Sequence, residues 1–425
     1  MRNVAFFLLT STVRKARASR DLPATALSLI VIACLTGKVA DANISNLLPL
    51  ESLIGLSTVG VDSASGDNPV TADRNDAGQN TTAPVVTAII DFVGDGAGNG
   101  LDFPFDIAVD AWGNVFVAGA SSDNAFRITP DGSIDEIIDS SGDGAEGTLD
   151  GTRGVPMDAL GNVYVVGLAS DNAFRIAPDG TITEIINCSG DGNGRTLNGA
   201  GAVAVDGSGN VYVVGEFSDN VFQITPDGVI TEIVNLSGDG GGNALDFPFD
   251  IAVDGTGNVY VVGANSKNAF RITPGGVITE IIDSTGDGGE NSLSQPRGVA
   301  LDVAGNVYVS GRFSNNVFKI TPGGTITEII DSAGDGEHSL SGPEGIAVDA
   351  GRNVYVAGVS SDNAFRITPG GTITEIINSA GDDDGNTLNG ARAIAVDAAG
   401  NVYLTGLTSD NAFRISFGVC GDGVL

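Results

Sequence analysis

One unit of about 48 residues recurs seven times and restricts what this 425-residue chain can fold into. Its consensus is Ala-Val-Asp-x-x-Gly-Asn-Val-Tyr-Val-x-Gly, followed after a short gap by Ser-Asp-Asn-Ala-Phe-Arg-Ile-Thr-Pro. The first asparagine of the unit falls at Asn114, Asn162, Asn210, Asn258, Asn306, Asn353 and Asn401, at spacings of 47 or 48 residues. Repeats of this length bury apolar surface against neighbouring copies, so the sequence predicts seven similar units packed side by side.

Each copy contains four short segments rich in Val, Ile, Tyr, Phe and Thr, separated by Gly, Pro, Asp or Asn. In the second copy the predicted strands A to D are Val155–Asp158, Asn162–Val166, Asn172–Ile176 and Thr181–Ile186. Such segments are typical of β-strands, and four strands in each repeat of 40–50 residues indicate one blade of a β-propeller. The predicted fold is therefore all-β: a seven-bladed β-propeller of four-stranded antiparallel blades.

The two ends of the repeat array complement each other. The seventh copy stops near Phe417 without a fourth strand, whereas Val85–Asp91 matches the fourth strand of the second copy and has no copy of its own. An open ring would leave an unpaired strand edge. We therefore expect an N-terminal strand to complete the last blade, with the propeller spanning residues 84–417.

Two stretches carry a resemblance to a known family. Residues 101–119 and 294–311 combine a proline, an Ile/Val-Ala-Val/Leu-Asp segment and Gly-Asn-Val-Phe/Tyr-Val. They resemble NHL repeats, and the chain is also similar to streptogramin B lyase-like propellers, which share the Arg-Ile-Thr-Pro-Asp-Gly stretch. The resemblance implies the fold over residues 84–417 but no particular activity, because such propellers serve as sensors, scaffolds, lyases and hydrolases.

Residues 1–42 are predicted to direct export. Basic residues precede an apolar run over 26–35 that is typical of a signal-peptide core, and residues 40–42 fit a cleavage site. Alternatively, Val31-Ile-Ala-Cys34 resembles a bacterial lipobox, which implies a lipid anchor at Cys34. Residues 43–83 are predicted to be a low-complexity linker, and 418–425 a tail that resembles the start of a Cys-rich repeat. An exported protein is expected: extracellular, periplasmic or at the cell surface.

Comparison of the seven copies separates residues that every blade needs from residues free to serve a ligand. The D–A and B–C loops are expected on one face, at the mouth of the central channel, and the opposite face is expected to be uniform. Arginine beside aromatic rings can hold a carboxylate or stack on a planar group; the alternative is that the arginines neutralise loop aspartates. The predicted ligand-binding residues are Arg153, Glu216, Phe217, Phe249, Lys267, Arg297, Arg312, Phe313 and Arg392.

A Gly-Asp-Gly turn follows each strand D and is interpreted as structural. In the last copy it is extended, and its three carboxylates make a weak calcium site, because Ca²⁺ prefers clustered oxygen ligands. These residues are Asp382, Asp383 and Asp384. No other metal or cofactor is predicted.

The charge balance limits the classes of partner that the protein can bind. With 20 Lys and Arg against 53 Asp and Glu, the net charge is −33, so nucleic acid is not expected as a partner. The sequence favours a non-enzymatic binding module for a protein, peptide, glycan or small anion. Two alternatives stay open: a structural spacer in a larger surface protein, or an enzyme resembling streptogramin lyases or gluconolactonases. The lyase resemblance implies a metal and a histidine base, and His338 is the single histidine.

Overall fold

The computed structural model describes residues 83–145 and 147–418. Within these ranges all regular structure is β-strand, and no helix is long and apolar enough to span a membrane. The predicted export signal with Cys34, nearly all of the predicted linker and the tail from residue 419 lie outside the described residues.

The strands form seven four-stranded antiparallel sheets, each built in the order A, B, C, D. Blade 1 contains β2 Pro104–Val109, β3 Val115–Gly119, β4 Asn124–Ile128 and β5 Ile134–Ile138; blade 2 contains β6 Thr152–Arg153, β7 Val163–Gly167, β8 Asn172–Ile176 and β9 Ile182–Ile186. Blade 3 contains β10 Ala200–Val205, β11 Val211–Gly215, β12 Asn220–Ile224 and β13 Ile230–Val234; blade 4 contains β14 Pro248–Val253, β15 Val259–Gly263, β16 Asn268–Ile272 and β17 Ile278–Ile282. Blade 5 contains β18 Pro296–Leu301, β19 Val307–Gly311, β20 Asn316–Ile320 and β21 Ile326–Ile330; blade 6 contains β22 Pro343–Val348, β23 Val354–Gly358, β24 Asn363–Ile367 and β25 Ile373–Ile377. Blade 7 contains β26 Ala391–Val396, β27 Val402–Gly406, β28 Asn411–Ser416 and β1 Val85–Ile90. The predicted seven-bladed β-propeller is confirmed.

Burial follows the position of a strand in its blade. Strands A contact one another at six of the seven junctions between blades, and they form the innermost layer of the propeller. Every residue of the B strands is buried, because neighbouring blades cover both faces of the sheet. Strands D are partly exposed and alternate, as expected for the outer edge. Seven C-strand phenylalanines have no exposed surface and are among the largest fully buried side chains: Phe126, Phe174, Phe222, Phe270, Phe318, Phe365 and Phe413.

The aspartate that ends each strand A organises the A–B turn. In blade 5, Asp302 Oδ1 accepts hydrogen bonds from the N–H groups of Ala304 and Asn306. Its Oδ2 accepts from Asn306 Nδ2 and from the Tyr308 hydroxyl at 3.1 Å. The strand-B tyrosines therefore stabilise the blade, with rings in the seams and hydroxyls on the turn.

The N-terminal strand closes the ring as predicted. Strand β1 pairs antiparallel with β28, in the register Val85 with Ser416 and Thr87 with Arg414. The Ala88 N–H also donates to Asp382 Oδ2, 3.0 Å away, in the loop that enters blade 7. Blade 7 is thus assembled from both ends of the propeller.

Strand A of blade 2 differs from the prediction. The sequence predicts a strand over Val155–Asp158, but regular pairing covers only Thr152–Arg153, followed by a single bridge between Met157 and Val163. Pro156 has no N–H to donate to the ladder, and its carbonyl accepts from Tyr164 N at 2.9 Å. The proline therefore interrupts the strand without displacing the channel-facing residues before it.

A side-chain hydrogen bond crosses six of the seven seams between blades. An aspartate or asparagine in the B–C loop of one blade accepts from a backbone N–H at the entrance of the next strand A, at 2.6–3.0 Å. The donor and acceptor residues are Gly151 and Asp123, Gly199 and Asp171, Phe247 and Asp219, Gly342 and Asn315, Gly390 and Asp362, and Phe103 and Asp410. The last pair closes the ring between blades 7 and 1.

Candidate functional site

Seven equivalent strand-A positions, one from each blade, form a ring at the channel mouth. Each lies two residues before the shared Ile/Val/Ala-containing segment of its strand, where the chain enters the channel from the D–A loop. The ring consists of Phe105, Arg153, Gly201, Phe249, Arg297, Glu344 and Arg392. Because the blade does not require one residue type here, the composition of the ring is available for a ligand.

Aromatic rings and guanidinium groups stack at this level. Phe105 lies between two arginines, with Arg392 Cζ 3.5 Å and Arg153 Cζ 4.0 Å from the ring centroid. Arg297 Cζ lies 3.8 Å from the centroid of Phe249, and Arg392 also approaches that ring at 5.7 Å. Stacking on an aromatic face holds a guanidinium in place without neutralising its charge.

Two glutamates neutralise part of the positive charge. Glu216 Oε1 accepts from Arg153 Nη1 at 2.7 Å. Glu344 pairs with Arg392 on one oxygen and lies 3.0 Å from Arg312 Nη1 on the other. Arg153, Arg312 and Arg392 are thus paired with glutamates of the mouth itself, whereas the alternative predicted from the sequence was pairing with loop aspartates.

Gly201 explains how Glu216 reaches the ring. A Cβ added at Gly201 would collide with the side chain of Glu216, which comes from the B–C loop of the same blade. The glutamate therefore occupies the space that the other blades fill with a strand-A side chain. Counted this way, the ring is Phe-Arg-Glu in blades 1–3, Phe-Arg-Glu in blades 4–6, and Arg in blade 7.

A cavity of about 100 Å³ opens among these side chains. Two aspartates that follow the ring phenylalanines also line it, and each accepts a backbone N–H from the neighbouring blade: Asp106 from Val155 at 3.0 Å and Asp250 from Val299 at 2.8 Å. Burial raises the pKa of Asp106, and it raises the pKa of Asp250 to about 7. The cavity walls therefore combine these carboxyl groups with Arg297 and Arg392. Burial lowers the pKa of both arginines.

Arg297 is the ring arginine without a carboxylate partner in the described part of the chain. It forms no ion pair there, and its buried Nε has no hydrogen-bond acceptor. Its neighbours are aromatic: Phe249 and Phe247 stack with centroids 6.4 Å apart, and Phe217 lies 5.9 Å from Phe247. A cation without a direct ion-pair partner among the described residues, beside an aromatic surface, is thus present at the mouth.

The remaining predicted residues lie at the rim of the same face. Phe217 and Phe313 are 55% and 65% exposed, and Arg312 approaches Phe313 at 5.8 Å. Lys267 is exposed in the B–C loop of blade 4. The structure thus brings all nine predicted binding residues to one face. Phe247 and Gln295, at the entrance to strand A, were not predicted, because four of the other blades have glycine at the equivalent position.

The three aspartates of the extended turn do not converge. Asp382 is buried and already accepts from Ala88, Asp384 and Asn386, while Asp383 and Asp384 are exposed. In the described ranges no group of three or more His, Cys, Asp or Glu side chains is placed to hold a metal. Calcium binding here stays a prediction without support from the geometry.

His338 lies away from the ring. It is half-exposed in the loop that enters blade 6, with Nδ1 3.3 Å from Asp335 Oδ2 and Nε2 3.6 Å from Glu375 Oε2. These neighbours raise its pKa, first through the hydrogen bond that the ring donates to the Asp335 carboxylate. The histidine therefore contributes to the outer surface of blade 6.

The opposite face is less uniform than expected. Trp112 and Leu160, at equivalent turn positions of blades 1 and 2, are 67% and 80% exposed. They border a groove of about 660 Å³ between these blades. The departure is visible in the sequence, because the other copies have small or polar residues at this position.

Comparison with known proteins agrees with the fold. The family model described as "Beta-propeller repeat" matches residues 239–264. No curated protein matches the chain. Among solved structures, a streptogramin B lyase superposes with a TM-score of 0.62 at 16% identity, covering 79% of this chain and 98% of its own.

Two further structures are similar. Virginiamycin B lyase from Staphylococcus aureus has a TM-score of 0.60 at 18% identity, covering 78% of this chain and 99% of its own; one structure is a catalytically inactive variant with quinupristin. The extracellular domain of a one-component system from B. thetaiotaomicron has a TM-score of 0.56 at 13% identity, covering 78% of this chain and 40% of its own. The chain is thus a seven-bladed β-propeller with the fold of streptogramin B lyase-like propellers.

Proposed function

We propose that this protein is an exported, non-enzymatic binding module that holds a small anionic ligand, or an anionic group of a peptide or glycan, at the channel mouth. The observation that carries the proposal is the guanidinium of Arg297, stacked on Phe249 without a carboxylate partner in the described residues. A guanidinium fixed in this way offers paired N–H donors to a carboxylate without first losing conformational freedom.

The local charge supports an anion despite the acidity of the whole chain. Arg153, Arg297, Arg312 and Arg392 converge at the mouth, against the two paired glutamates and two aspartates whose pKa values burial raises. The surrounding negative surface disfavours polyanions and selects for a single anionic group. A cavity of about 100 Å³ suits a group of that size, since liquid water occupies roughly 30 Å³ per molecule.

The position of the single histidine argues against a lyase-like mechanism at this site. A general base must lie within hydrogen-bond reach of its proton, and His338 contacts Asp335 and Glu375 instead of the ring. Export is proposed from the predicted signal over residues 1–42; the extracellular domain found among the similar structures shows the same fold outside a cell.

Binding of carboxylates, short peptides and oligosaccharides by the purified full chain tests the proposal, with isothermal titration calorimetry as the readout. Combined Arg297→Ala and Arg312→Ala substitution is expected to weaken binding at least about tenfold, because a charge-assisted hydrogen bond contributes about 1.5–3 kcal/mol. Arg127→Ala is the matched control, since Arg127 pairs with Asp135 on blade 1. Unchanged affinity in the double variant would refute the site; no binding to any ligand would favour the spacer role.

A further inference from the structure

The seam between blades 4 and 5 lacks an element that the other six seams possess. At those six, an aspartate or asparagine in a left-handed backbone conformation, φ 52–55°, supplies the oxygen that accepts the N–H of the next strand A. In blade 4 the equivalent residue is Lys267, with φ 58°. The backbone of Lys267 therefore matches that of the aspartates and the asparagine at the other six seams. Its side chain, however, ends in a cation instead of a hydrogen-bond acceptor.

At the seam between blades 4 and 5, the N–H that would donate to this oxygen has no acceptor. The corresponding N–H belongs to Gln295, which has φ 52° like Phe103 and Phe247 in blades 1 and 4, and no acceptor for it is present in the described structure. Gln295 Oε1 is also buried without a hydrogen-bond partner among the described residues. Unpaired polar groups are costly, so this seam is set up to donate the Gln295 N–H to an acceptor from outside the chain.

The surroundings favour a carboxylate. Lys267 forms no ion pair in the described ranges, and the nearby Asp246 carboxylate is held by Asn265 Nδ2 at 3.1 Å. Arg297, two residues after Gln295, lies over Phe249 and 5.7 Å from the centroid of Phe247. Lys267 thus stands at the position of the missing acceptor, and the Gln295 N–H, Arg297 and an aromatic surface belong to the same seam.

We propose that the carboxylate of an organic ligand occupies this seam in place of the missing aspartate. One oxygen accepts from the Gln295 N–H, and the charge is compensated by Lys267 and Arg297. The hydrocarbon part of the ligand packs on Phe217 and Phe247. This inference rests on the proposed function and names its ligand class: an organic carboxylate that carries an aromatic or apolar group.

Lys267→Asp tests the inference, because it supplies within the chain the carboxylate that the other seams use. The probes are 3-phenylpropionate and its uncharged amide. Wild-type protein is expected to bind the carboxylate at least tenfold more tightly than the amide. Lys267→Asp is expected to remove this preference and to raise the melting temperature, since the seam gains its hydrogen bond. A peptide ending in Phe, with free or amidated C-terminus, shows whether the carboxylate comes from a chain end or a free acid.

Lys319→Asp is the control for the change of net charge. It makes the same substitution on strand C of blade 5, where Lys319 approaches the Tyr308 ring at 5.9 Å, and is expected to leave binding unchanged. If Lys267→Asp binds the carboxylate as wild type does, the seam inference is wrong, while loss of binding in the Arg297→Ala, Arg312→Ala variant would still support the mouth site. If wild-type protein binds neither probe nor any other ligand tested, both proposals fail.

Discussion

A glycine at position 201 allows a residue from another loop to enter the ring. The absent side chain leaves space for Glu216, whose carboxylate then meets Arg153 from the neighbouring blade. Burial raises the pKa of Glu216 and lowers the pKa of Arg153 to about 10. One missing Cβ thus decides which arginine is neutralised, and Arg297, at the equivalent position in blade 5, stays unpaired among the described residues.

The buried carboxyl of Asp250 should make stability depend on pH. Its pKa of about 7 in the folded protein lies above the value of about 3.9 in an unfolded chain. Between these values the folded state retains a proton that the unfolded state releases, so stability falls as pH rises from about 4 to 7. Compared with Asp250→Asn, the wild-type unfolding free energy should fall by on the order of 4 kcal/mol, measured by urea denaturation from pH 4 to pH 8.

Asp227→Asn, at an exposed turn of blade 3, serves as the control and should follow the wild-type curve. Parallel curves for wild type and Asp250→Asn across this range would show that the Asp250 proton is not retained on folding.

Sequence comparison among the copies identified which residues reach the channel mouth, because repeats fix the position of every residue within its blade. It did not identify their pairings. Glu216 and Arg153 are 63 residues apart, and their contact depends on the side-chain space left by Gly201. The Gln295 N–H without an acceptor is likewise evident only by comparison with the hydrogen bonds at the other six seams.

At the level of elements, the strands were predictable wherever the repeat was regular. Four segments of β-branched and aromatic residues between turn residues gave the blades, and the unmatched segment at each end gave the closing strand. Strand β6 was not predictable from the consensus, because Pro156 removes one donor from the ladder and only the three-dimensional pairing shows where the strand then ends.

Closure by β1 can be tested by moving the strand. Deleting residues 83–91 should lower the unfolding free energy by at least about 3 kcal/mol, because it removes a ladder and the buried Ile90, and truncating one buried isoleucine costs about 2–5 kcal/mol. Reattaching residues 85–91 after Ile415, through the Thr-Pro-Asp-Gly turn of residues 225–228, should restore stability, because Ile415 and Val86 then keep their pairing. The measurement is chemical denaturation followed by circular dichroism.

The permuted chain is the matched control, since it contains the same strand with a different connection. Equal stability of the deleted and intact proteins would mean that the pairing of β1 with β28 does not close the ring.

For the whole molecule, the net charge of −33 predicts a dependence on salt. Self-repulsion destabilises a compact state, and at 0.1 M salt the screening length is about 10 Å. The melting temperature should therefore rise between about 10 mM and 500 mM NaCl, by on the order of 1–2 °C for each kcal/mol of repulsion screened. KCl should have the same effect if screening is the cause. A fall in melting temperature with salt would instead show that the ion pairs of the mouth dominate.

The three-residue pattern Phe-Arg-Glu occurs twice around the channel mouth and leaves one of the seven blades over. Two triplets face each other, and the seventh position adds Arg392, which stacks on Phe105 of one triplet and pairs with Glu344 of the other. A ring of six would offer a guest two interchangeable orientations. The odd arginine abolishes that equivalence, so any occupant of the mouth meets a frame without rotational symmetry and has a single preferred pose.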